Sequence, residues 1–384
     1  MKPRVVHAVD QFLPRSETFV YTVVMAHRQF EASVICHARA HDDEFPFPRV
    51  HVLPKPVSRR TAGWWLAASI ERATGRSPWQ RSVESVLARI DPTVVHAHFG
   101  PIGCEMVAIT RAAGLPLVTS LYGVDAAVLP YLPRWRAAYA RLFREGDLFL
   151  AEGPEMRRKI IAAGAPAERT VVHPIALNLS RYPRWSPDGA STVLFASRFV
   201  EKKGLLDAIA AFGQARARVP AARLTIVGGG PDEAAARALA EQRGLADVVT
   251  FLGMQSHTDV LRRLATAAVL IHPSVTAADG DSEGGAPTIL LEAQAIGTPI
   301  VTTRHADIPY VVPEGPGVCL CAEHDVDALA DGVVAALHNP TPSSATHVIA
   351  YHDVARTIER LEDLYGLAAD GSARGFAAAS RPAQ

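Results

Sequence analysis

The sequence predicts an α/β protein with two Rossmann-like domains that face each other across a cleft, and three observations support this prediction. Short apolar runs that suit buried strands alternate with amphipathic helical patterns along nearly the whole chain, which is typical of parallel sheets covered by helices on both faces. The length of 384 residues suits two domains better than one. A stretch without periodicity, residues 177–189, contains Pro183 and Pro187 and separates the alternation into two series.

The first series extends from the amino terminus to the aperiodic stretch. Its predicted strands are residues 5–9, 32–36, 94–97, 117–120, 148–151 and 171–173, and helical patterns lie at 103–113 and 154–163. We therefore place a first domain at residues 1–180. Because ligands of open α/β sheets bind beyond the carboxyl ends of the strands, we expect functional side chains there.

The second series repeats the same alternation. Its predicted strands are residues 192–196, 224–227, 249–252, 268–271, 300–303 and 318–321, with helices at 205–219, 232–243, 259–266, 288–296 and 325–336 and a last helical pattern at 354–365. We place a second domain at residues 181–366. Since the end of the chain is rich in Ala, Gly, Ser and Arg, we expect a flexible tail at 367–384.

The composition excludes several classes of protein. The 39 Lys and Arg residues balance the 39 Asp and Glu residues, whereas proteins that bind nucleic acid through its phosphates usually carry a basic excess. Four cysteines in a chain of this length do not form a disulfide framework. His7 and Asp10 interrupt the first apolar run, and no run of about 18 apolar residues follows. We therefore expect a cytoplasmic protein that binds no nucleic acid.

The strongest local signal lies in residues 281–300. Pro287 suits the first turn of a helix and Gly297 suits the residue after its end. A helix that begins after glycines offers free amides to a diphosphate. Glu283 on the turn and Glu292 on the helix carry carboxylates that accept hydrogen bonds from sugar hydroxyls. The alternative, of equal weight, is that Glu283 is a solvated loop residue and that Glu292 is a surface residue of the helix.

Two further signals precede this segment in the same domain. Arg198 and Lys203 follow the first strand, where two cations suit a diphosphate leaving group; the alternative is a basic surface turn. Three glycines at 228–230 lie between a strand and a helix and permit close approach of a ligand. Their spacing is not that of the GxGxxG fingerprint, so we expect no nicotinamide or flavin cofactor.

The combination of these motifs in one order resembles the donor-binding domain of retaining glycosyltransferases of family 4, which have the two-domain GT-B fold. The matching segments are Arg198 with Lys203 and Gly204, residues 227–231, 251–253, the block from Glu283 through residues 292–299, and residues 305–309. In the first domain, residues 12–19 and 96–100 are similar to the branch that builds exopolysaccharide repeat units on a lipid carrier, such as the colanic-acid type.

This resemblance implies transfer of a hexose from a nucleotide diphosphate sugar, with retention of configuration and without a metal or another cofactor. It implies that Glu292 holds the ribose, that Glu283 lies beside the donor sugar, and that Arg198 and Lys203 bind the diphosphate. The remaining donor-binding residues that it implies are Gly284, Gly285, Ala286, Pro287, Thr288, Gly229 and Gly253.

The sequence departs from the family pattern in two places. Eight residues separate Glu283 from Glu292, where the family usually has seven, and the extra residue in the glycine turn affects the role of Glu283. Tyr122 stands where many members have a histidine, and a phenol with a pKa of about 10 is a poor base. On the acceptor side we expect Tyr122 and the residues His98, Asp125 and Glu17. For Glu17 the alternative is a helix start capped by Ser16.

Two motifs raise the question of a metal. His96 and His98 share one face of a predicted strand, but no third ligand lies nearby in the sequence. Asp279 and Asp281 resemble a metal-binding DxD motif, although they lie in the predicted sugar-binding loop. We therefore predict no metal site and expect His98 on the acceptor side and hydrogen bonds in the aspartate loop.

Two stretches rich in arginine and aromatic residues, 59–81 and 131–144, raise the question of a membrane partner. Arginines interleaved with aromatic residues suit an interfacial helix on anionic lipid, as an acceptor on a polyprenyl diphosphate would require at the inner face of the cell membrane. The alternative, of equal weight, is two helices that pack their aromatic residues inward.

The sequence leaves two other functions open. A nucleotide-sugar epimerase or hydrolase on the same fold would turn over the donor without an acceptor. A catalytically silent relative would bind a nucleotide sugar as a sensor or partner subunit. Arg198, Lys203 and Glu292 argue against the silent relative, whereas the longer glutamate spacing leaves it open.

Overall fold

The computed structural model describes residues 2–14, 17–54 and 77–372. The chain divides into two compact units. Unit 1 comprises Met1–Ala151, Arg157–Ala176 and Val354–Gln384, and unit 2 comprises Glu152–Met156 and Leu177–Asp353. Each unit has one parallel sheet with helices packed against it, so the predicted pair of Rossmann-like folds is confirmed.

The sheet of unit 1 has seven strands within the described residues. They are β1 (Arg4–Phe12), β2 (Glu31–Arg39), β3 (Val50–Val52), β4 (Val94–His98), β5 (Leu117–Leu121), β6 (Leu148–Ala151) and β7 (Thr170–Val172), in the order β3-β2-β1-β4-β5-β6-β7. Their helices are α1 (Thr18–Ala26), α2 (Pro78–Ile90), α3 (Gly100–Ala113), α4 (Val124–Ala127), α5 (Pro133–Glu145) and α6 (Pro154–Ala162). The first three residues of α6 belong to unit 2 and the rest to unit 1. The order reverses between β1 and β4, where folds of this kind bind ligands.

The sheet of unit 2 has six strands within the described residues and the same topology. They are β8 (Thr192–Ala196), β9 (Arg223–Val227), β10 (Val249–Phe251), β11 (Val269–His272), β12 (Ile300–Thr303) and β13 (Val318–Cys321), in the order β10-β9-β8-β11-β12-β13. The helices are α7 (Leu205–Arg218), α8 (Glu233–Gln242), α9 (His257–Thr266), α10 (Thr288–Ile296), α11 (Ile308–Val311), α12 (Val326–His338) and α13 (Thr346–Tyr351). The reversal lies between β8 and β11.

Burial explains why these segments are strands. In β8, Val193 and Phe195 point into the core of unit 2, where they meet Phe212 of α7 and Val333 of α12. Strands that are covered on both faces must be apolar along most of their length. Cys321 of β13 belongs to the same core.

The last helix, α14 (Val354–Ala369), corrects the predicted domain boundary. We placed residues up to 366 in the second domain, but α14 belongs to unit 1. Its Leu361, Leu364 and Tyr365 pack in one core with Val94 and Val118. Sequence proximity had favoured unit 2, whereas the apolar face of α14 is buried by the strands of unit 1. The predicted tail begins inside this helix, and residues 373–384 lie outside the described residues.

The longest described helix, α14, has 16 residues, and a bilayer core requires about 20 apolar residues in a helix. Within residues 2–14, 17–54 and 77–372, no helix is long and apolar enough to cross a membrane.

We predict that Gly228→Ala destabilises unit 2 by about 2 kcal/mol or more, because Gly228 has a φ of +134° and a Cβ atom there would collide with the carbonyl oxygen of Ser197. The free energy of unfolding from urea titration measures this. Gly229→Ala is the matched control, since its Cβ would meet only the side chain of Met254 at 3.8 Å. Equal stability of the two variants would contradict the prediction.

Candidate functional site

The candidate residues of unit 2 lie at the carboxyl edge of its sheet. Arg198 and Lys203 follow β8, the glycines at 228–230 follow β9, and the segment from Pro273 to α10 follows β11. Gly204 brings two of these connections together, because its φ of +66° and the adjacent carbonyl oxygen of Pro273 leave no room for a side chain. Parallel strands therefore place residues from three parts of the chain at one edge.

A buried ion pair joins two of the predicted catalytic residues. The Lys203 ammonium lies 2.6 Å from Glu283 Oε1, and the Ser274 hydroxyl donates to the same oxygen at 3.0 Å. Burial by itself would raise the pKa of Glu283, but Lys203 and Lys202 lower it to about 2. Glu283 is therefore an ionised carboxylate at neutral pH. Lys203 is also near Arg198, whose charge adds to burial in lowering the pKa of Lys203.

The turn that carries Glu283 is anchored in the unit. The Glu283 amide donates to His305 Nε2 at 3.0 Å, and His305 Nδ1 donates to Glu323 at 2.6 Å. Residues 283–286, which the sequence predicted to be a flexible turn, are buried. His305 lies in segment 305–309, which resembles the family, but the sequence did not indicate a role for it. Its hydrogen bond with the Glu283 amide shows that His305 positions the turn.

The aspartate loop is held by hydrogen bonds. Lys202 Nζ lies 3.0 Å from Asp281 Oδ1 and donates to the Ser282 carbonyl at 3.1 Å. Asp279 accepts the amide of Asp281 at 2.9 Å. Both carboxylates thus have partners of the kind expected from a structural loop.

Glu292 is buried on α10 and is bonded to a histidine that sequence reasoning missed. His257 Nε2 lies 2.7 Å from Glu292 Oε1, and a carboxylate oxygen can only accept, so the imidazole nitrogen donates. We had predicted the helix at 259–266, but Ser256 caps the amide of Asp259 and α9 begins at His257. The Ser–x–x–Asp spacing was the available signal for this earlier start.

The other predicted donor-side residues differ in exposure. Arg198 and Gly253 are exposed, while Gly229 and Thr288 are half-buried. Thr288 is the first residue of α10, as predicted, and Pro287 is its N-cap. The first amides of an α-helix precede its first internal hydrogen bond, and here the Leu290 amide donates to the Pro287 carbonyl at 3.0 Å.

In unit 1, Asp125 connects two turns at the carboxyl edge of the sheet. Its carboxylate accepts the amides of Gly100, Tyr122 and Gly123 at 2.9, 3.1 and 2.7 Å. Burial raises the pKa of Asp125, and these hydrogen bonds oppose the rise. Asp125 thus holds the turn after β5 beside the start of α3.

The third imidazole that the sequence lacked comes from β1. His7 pairs in register with His96, and nitrogens of His7, His96 and His98 lie within 4.8 Å of one another, all three residues being buried. Burial lowers the pKa of each, to about 3 for His98. The rings of His96 and His98 are stacked at 26° and those of His7 and His98 at 24°. Hydrogen bonds join His7 Nδ1 to His98 Nε2 at 3.0 Å, and His96 to the Tyr365 and Ser120 hydroxyls at 2.6 and 2.8 Å.

The remaining acceptor-side residues lie around this group. The Tyr122 hydroxyl lies 2.7 Å from His98 Nδ1. Glu17 occupies the N-cap position of α1 without a side-chain capping bond, and Ser16 lies outside the described residues.

The second basic and aromatic stretch forms α5. Its Tyr139 and Phe143 are buried in unit 1, and Arg141 and Arg144 both pair with Glu145. This geometry favours the alternative in which aromatic residues pack inward. Of the first stretch, residues 59–76 lie outside the described residues.

Two family models match successive parts of the chain. "Glycosyltransferase Family 4" matches residues 16–181 and "Glycosyl transferases group 1" matches residues 183–352. The chain therefore belongs to the glycosyltransferases that combine these two domains, as the resemblance in the sequence predicted.

Among curated proteins, the chain is similar to the putative colanic acid biosynthesis glycosyltransferase WcaL of Salmonella typhimurium, with 35% identity over 239 residues, 61% of this chain and 59% of that protein. It is also similar to the amylovoran biosynthesis glycosyltransferase AmsK of Erwinia amylovora, with 31% identity over 260 residues and 64% of each chain. The matched region thus spans about six tenths of these relatives.

Solved structures share the fold across nearly the whole chain. Anabaena HepE in complex with UDP and glucose has a TM-score of 0.78 at 19% identity, covering 95% of this chain and 99% of that one. Sucrose-phosphate synthase from Thermosynechococcus elongatus has a TM-score of 0.69 at 16% identity, covering 95% and 98%. The predicted GT-B fold is confirmed.

We predict that acid destabilises the protein through His7, His96 and His98. Their folded-state pKa values lie below the ordinary 6.5, so the unfolded chain binds more protons and the free energy of unfolding falls as pH drops below about 6.5. The slope is up to about 4 kcal/mol per pH unit for three groups. Urea titrations between pH 7.5 and 5 measure it. His98→Asn should reduce the slope by about 1.4 kcal/mol per unit, and the exposed His338→Asn should not change it; an unaltered slope in His98→Asn contradicts the assignment.

We predict strong coupling between Lys203 and Glu283. Removing one partner leaves a buried charge unpaired and costs about 3–5 kcal/mol, so Lys203→Met combined with Glu283→Gln costs less than the two single changes together. A double-mutant cycle on the free energy of unfolding should give about 1–3 kcal/mol of coupling. The exposed pair Arg237–Glu233 is the matched control, with about 0.5 kcal/mol or less. Additive costs at Lys203 and Glu283 would refute the coupling.

Proposed function

We propose that this protein transfers a hexose, with retention of configuration, from a nucleotide diphosphate sugar to a glycan or polyprenyl-linked acceptor in the synthesis of an exopolysaccharide. One observation carries the proposal: the exposed Arg198, the buried Lys203–Glu283 pair and the buried Glu292 lie on connections and a helix at the carboxyl edge of one sheet. Cations and sugar-binding carboxylates at this edge suit a donor with a diphosphate and two sugars.

The chemistry of glycosyl transfer assigns a role to each group. Arg198 and Lys203 would stabilise the negative charge that develops on the departing diphosphate, which makes a divalent cation unnecessary for that purpose. The first amides of α10 would bind a phosphate or the donor sugar. Because Lys203 and His305 hold both the side chain and the backbone of Glu283, the carboxylate would lie beside the donor sugar in a fixed position.

Glu292 and His257 would hold the ribose. Glu292 accepts from His257 through one oxygen at 2.7 Å, and a carboxylate has further lone pairs for sugar hydroxyls. Phe251, which packs under the guanidinium of Arg237 at 4.2 Å, would contribute an apolar surface to the base.

The names of the relatives supply the substrate class. HepE was solved with UDP and glucose, and the curated relatives are named for colanic acid and amylovoran biosynthesis. A polyprenyl-linked acceptor would bring the protein to the inner face of the cell membrane, where the exposed Arg134 and Arg136 of α5 would face anionic lipid.

We predict that one class among UDP-, GDP-, ADP- and TDP-sugars raises the melting temperature of the protein without added metal, because a ligand that binds only the folded state stabilises it. Arg198→Ala and Glu292→Ala should abolish the shift, since they remove a diphosphate contact and a ribose contact. The controls Arg243→Ala and Glu241→Ala change the same residue types at the carboxyl end of α8, where both side chains are exposed. They should retain the shift.

Product analysis with the donor so identified separates the remaining functions. Transfer to a glycan or polyprenyl-linked acceptor, with the same anomeric configuration by NMR, supports the proposal. Release of free sugar or of an epimer without acceptor would replace it with a hydrolase or epimerase. Absence of a thermal shift with every sugar nucleotide at millimolar concentration would refute the donor site.

A further inference from the structure

We propose that Tyr122, His98, His7, His27 and Glu362 form a directed proton relay in unit 1, which leads from the carboxyl edge of the sheet to a buried imidazole–carboxylate pair. The inference rests on the proposed function, because the acceptor's hydroxyl supplies the proton. The relay gives the reaction a base that Tyr122 alone does not provide.

The five side chains are connected by four consecutive hydrogen bonds. Their lengths are 2.7 Å from the Tyr122 hydroxyl to His98 Nδ1, 3.0 Å from His98 Nε2 to His7 Nδ1, 2.9 Å from His7 Nε2 to His27 Nε2, and 3.1 Å from His27 Nδ1 to Glu362 Oε1. The members come from β1, β4, the turn after β5, the residue after α1, and α14. No two of them are adjacent in the sequence.

The position of the chain relates it to the acceptor. Tyr122 follows the last residue of β5 and is half-buried between Phe19 and Phe99. His98 ends β4, next to the reversal of strand order between β1 and β4. Ligands of such sheets bind there. His7, in contrast, lies in the middle of β1, and His27 precedes β2, so the relay leads inward.

The carboxylate at the inner end fixes the direction of every bond. Glu362 accepts the amides of Arg28 and Gln29 at 2.8 and 3.0 Å, and it can only accept from His27, so His27 Nδ1 carries a proton. A neutral imidazole has one donor and one acceptor. His27 Nε2 therefore accepts from His7 Nε2, and His7 Nδ1 accepts from His98 Nε2.

The same rule continues to the outer end. Because His98 Nε2 donates, His98 Nδ1 must accept, and the Tyr122 hydroxyl donates to it. The single phenolic proton is thereby committed to His98, so the phenolic oxygen can only accept from a substrate hydroxyl. Burial keeps the histidines neutral by lowering the pKa values of His7 and His98.

Proton transfer along the chain balances at every atom. The acceptor's O–H bond breaks and its proton moves to the Tyr122 oxygen, while the Tyr122 proton moves to His98 Nδ1. The Nε2 proton of His98 moves to His7 Nδ1, and the Nε2 proton of His7 moves to His27 Nε2. The alkoxide oxygen bonds to the anomeric carbon of the donor as the bond from that carbon to the diphosphate oxygen breaks and the diphosphate leaves. His27 becomes an imidazolium paired with Glu362. The same hops in reverse, with loss of one proton from the Tyr122 oxygen to solvent, restore the starting tautomers after the reaction.

The surroundings of His27 set the pH dependence. The titratable groups that face His27 and its neighbour His7 are Glu362 and Tyr365 of α14, His96 and His98 of β4, and, beside His96, His173. Burial lowers the pKa of His27 below 6.5, and the hydrogen bond to Glu362 opposes this. A proton already on His27 fills the terminal position, so the rate should fall as pH drops below that pKa.

The first test determines the tautomers and does not require activity. Nitrogen-15 NMR of labelled histidines in the full chain should show protons on His98 Nε2, His7 Nε2 and His27 Nδ1. A proton on His98 Nδ1 would overturn the direction of the relay. One equivalent of zinc in the purified protein, lost in His7→Gln, would also overturn it, because the histidines would then be metal ligands.

The second test measures transfer in mixtures of H2O and D2O. Wild type should give a curved dependence of kcat on the deuterium fraction, since several protons move. Tyr122→Phe should lower kcat about a hundredfold with unchanged KM for the donor, and its dependence should be linear. Tyr21→Phe is the matched control, since the Tyr21 hydroxyl only donates to the Pro46 carbonyl at an exposed site.

The third test uses the inner end of the relay. Glu362→Gln should lower kcat and move the acidic limb of the pH profile to lower pH, because loss of the carboxylate makes His27 less basic. Glu359→Gln, exposed on the same helix, should leave the profile unchanged.

The results distinguish failure of the relay from failure of the proposed function. A linear dependence in wild type, or wild-type kcat in Tyr122→Phe, overturns the relay even if Glu362→Gln does not fold. Absence of transfer by wild type, together with the expected tautomers, refutes the proposed function and not the hydrogen-bond chain.

Discussion

Burial of charged and imidazole groups at the ends of parallel strands is the constraint on which both units depend. A buried charge without a partner costs several kcal/mol, so Glu283 requires Lys203 and Ser274, and Glu362 requires His27 and three amides. Each of these sets joins segments that are distant in sequence. The polar pairs therefore hold the connections in place as well as carrying chemistry.

The two units use the same strand order but bury different polar chemistry. In unit 2 the pairs leave ionised groups near the carboxyl edge. In unit 1 the partners are neutral histidines, which can exchange protons without creating separated charges until the inner end is reached. Sheets of the same strand order thus bury an ion pair in one unit and a group of hydrogen-bonded histidines in the other.

Much of the fold could be predicted because strands that are covered on both faces are apolar throughout. Residues 192–196, 300–303 and 318–321 were predicted with the observed bounds. The three-residue β3 was missed because it is only partly buried and too short to show the two-residue periodicity of a strand. The amphipathic pattern identified α14 as a helix but did not indicate which sheet covers its apolar face, so its domain assignment was wrong.

The sequence by itself determined the two-domain α/β class and the family. It also predicted donor-side roles for Arg198, Lys203, Glu283 and Glu292, since these lie in short motifs at strand ends. The tertiary structure decided their partners. His257, His305 and Ser274 are 9 to 35 residues from the groups they contact, and Glu362 is 335 residues from His27. Local patterns encode periodicity and turns, whereas hydrogen bonds between distant segments depend on strand order and register, which only the folded chain defines.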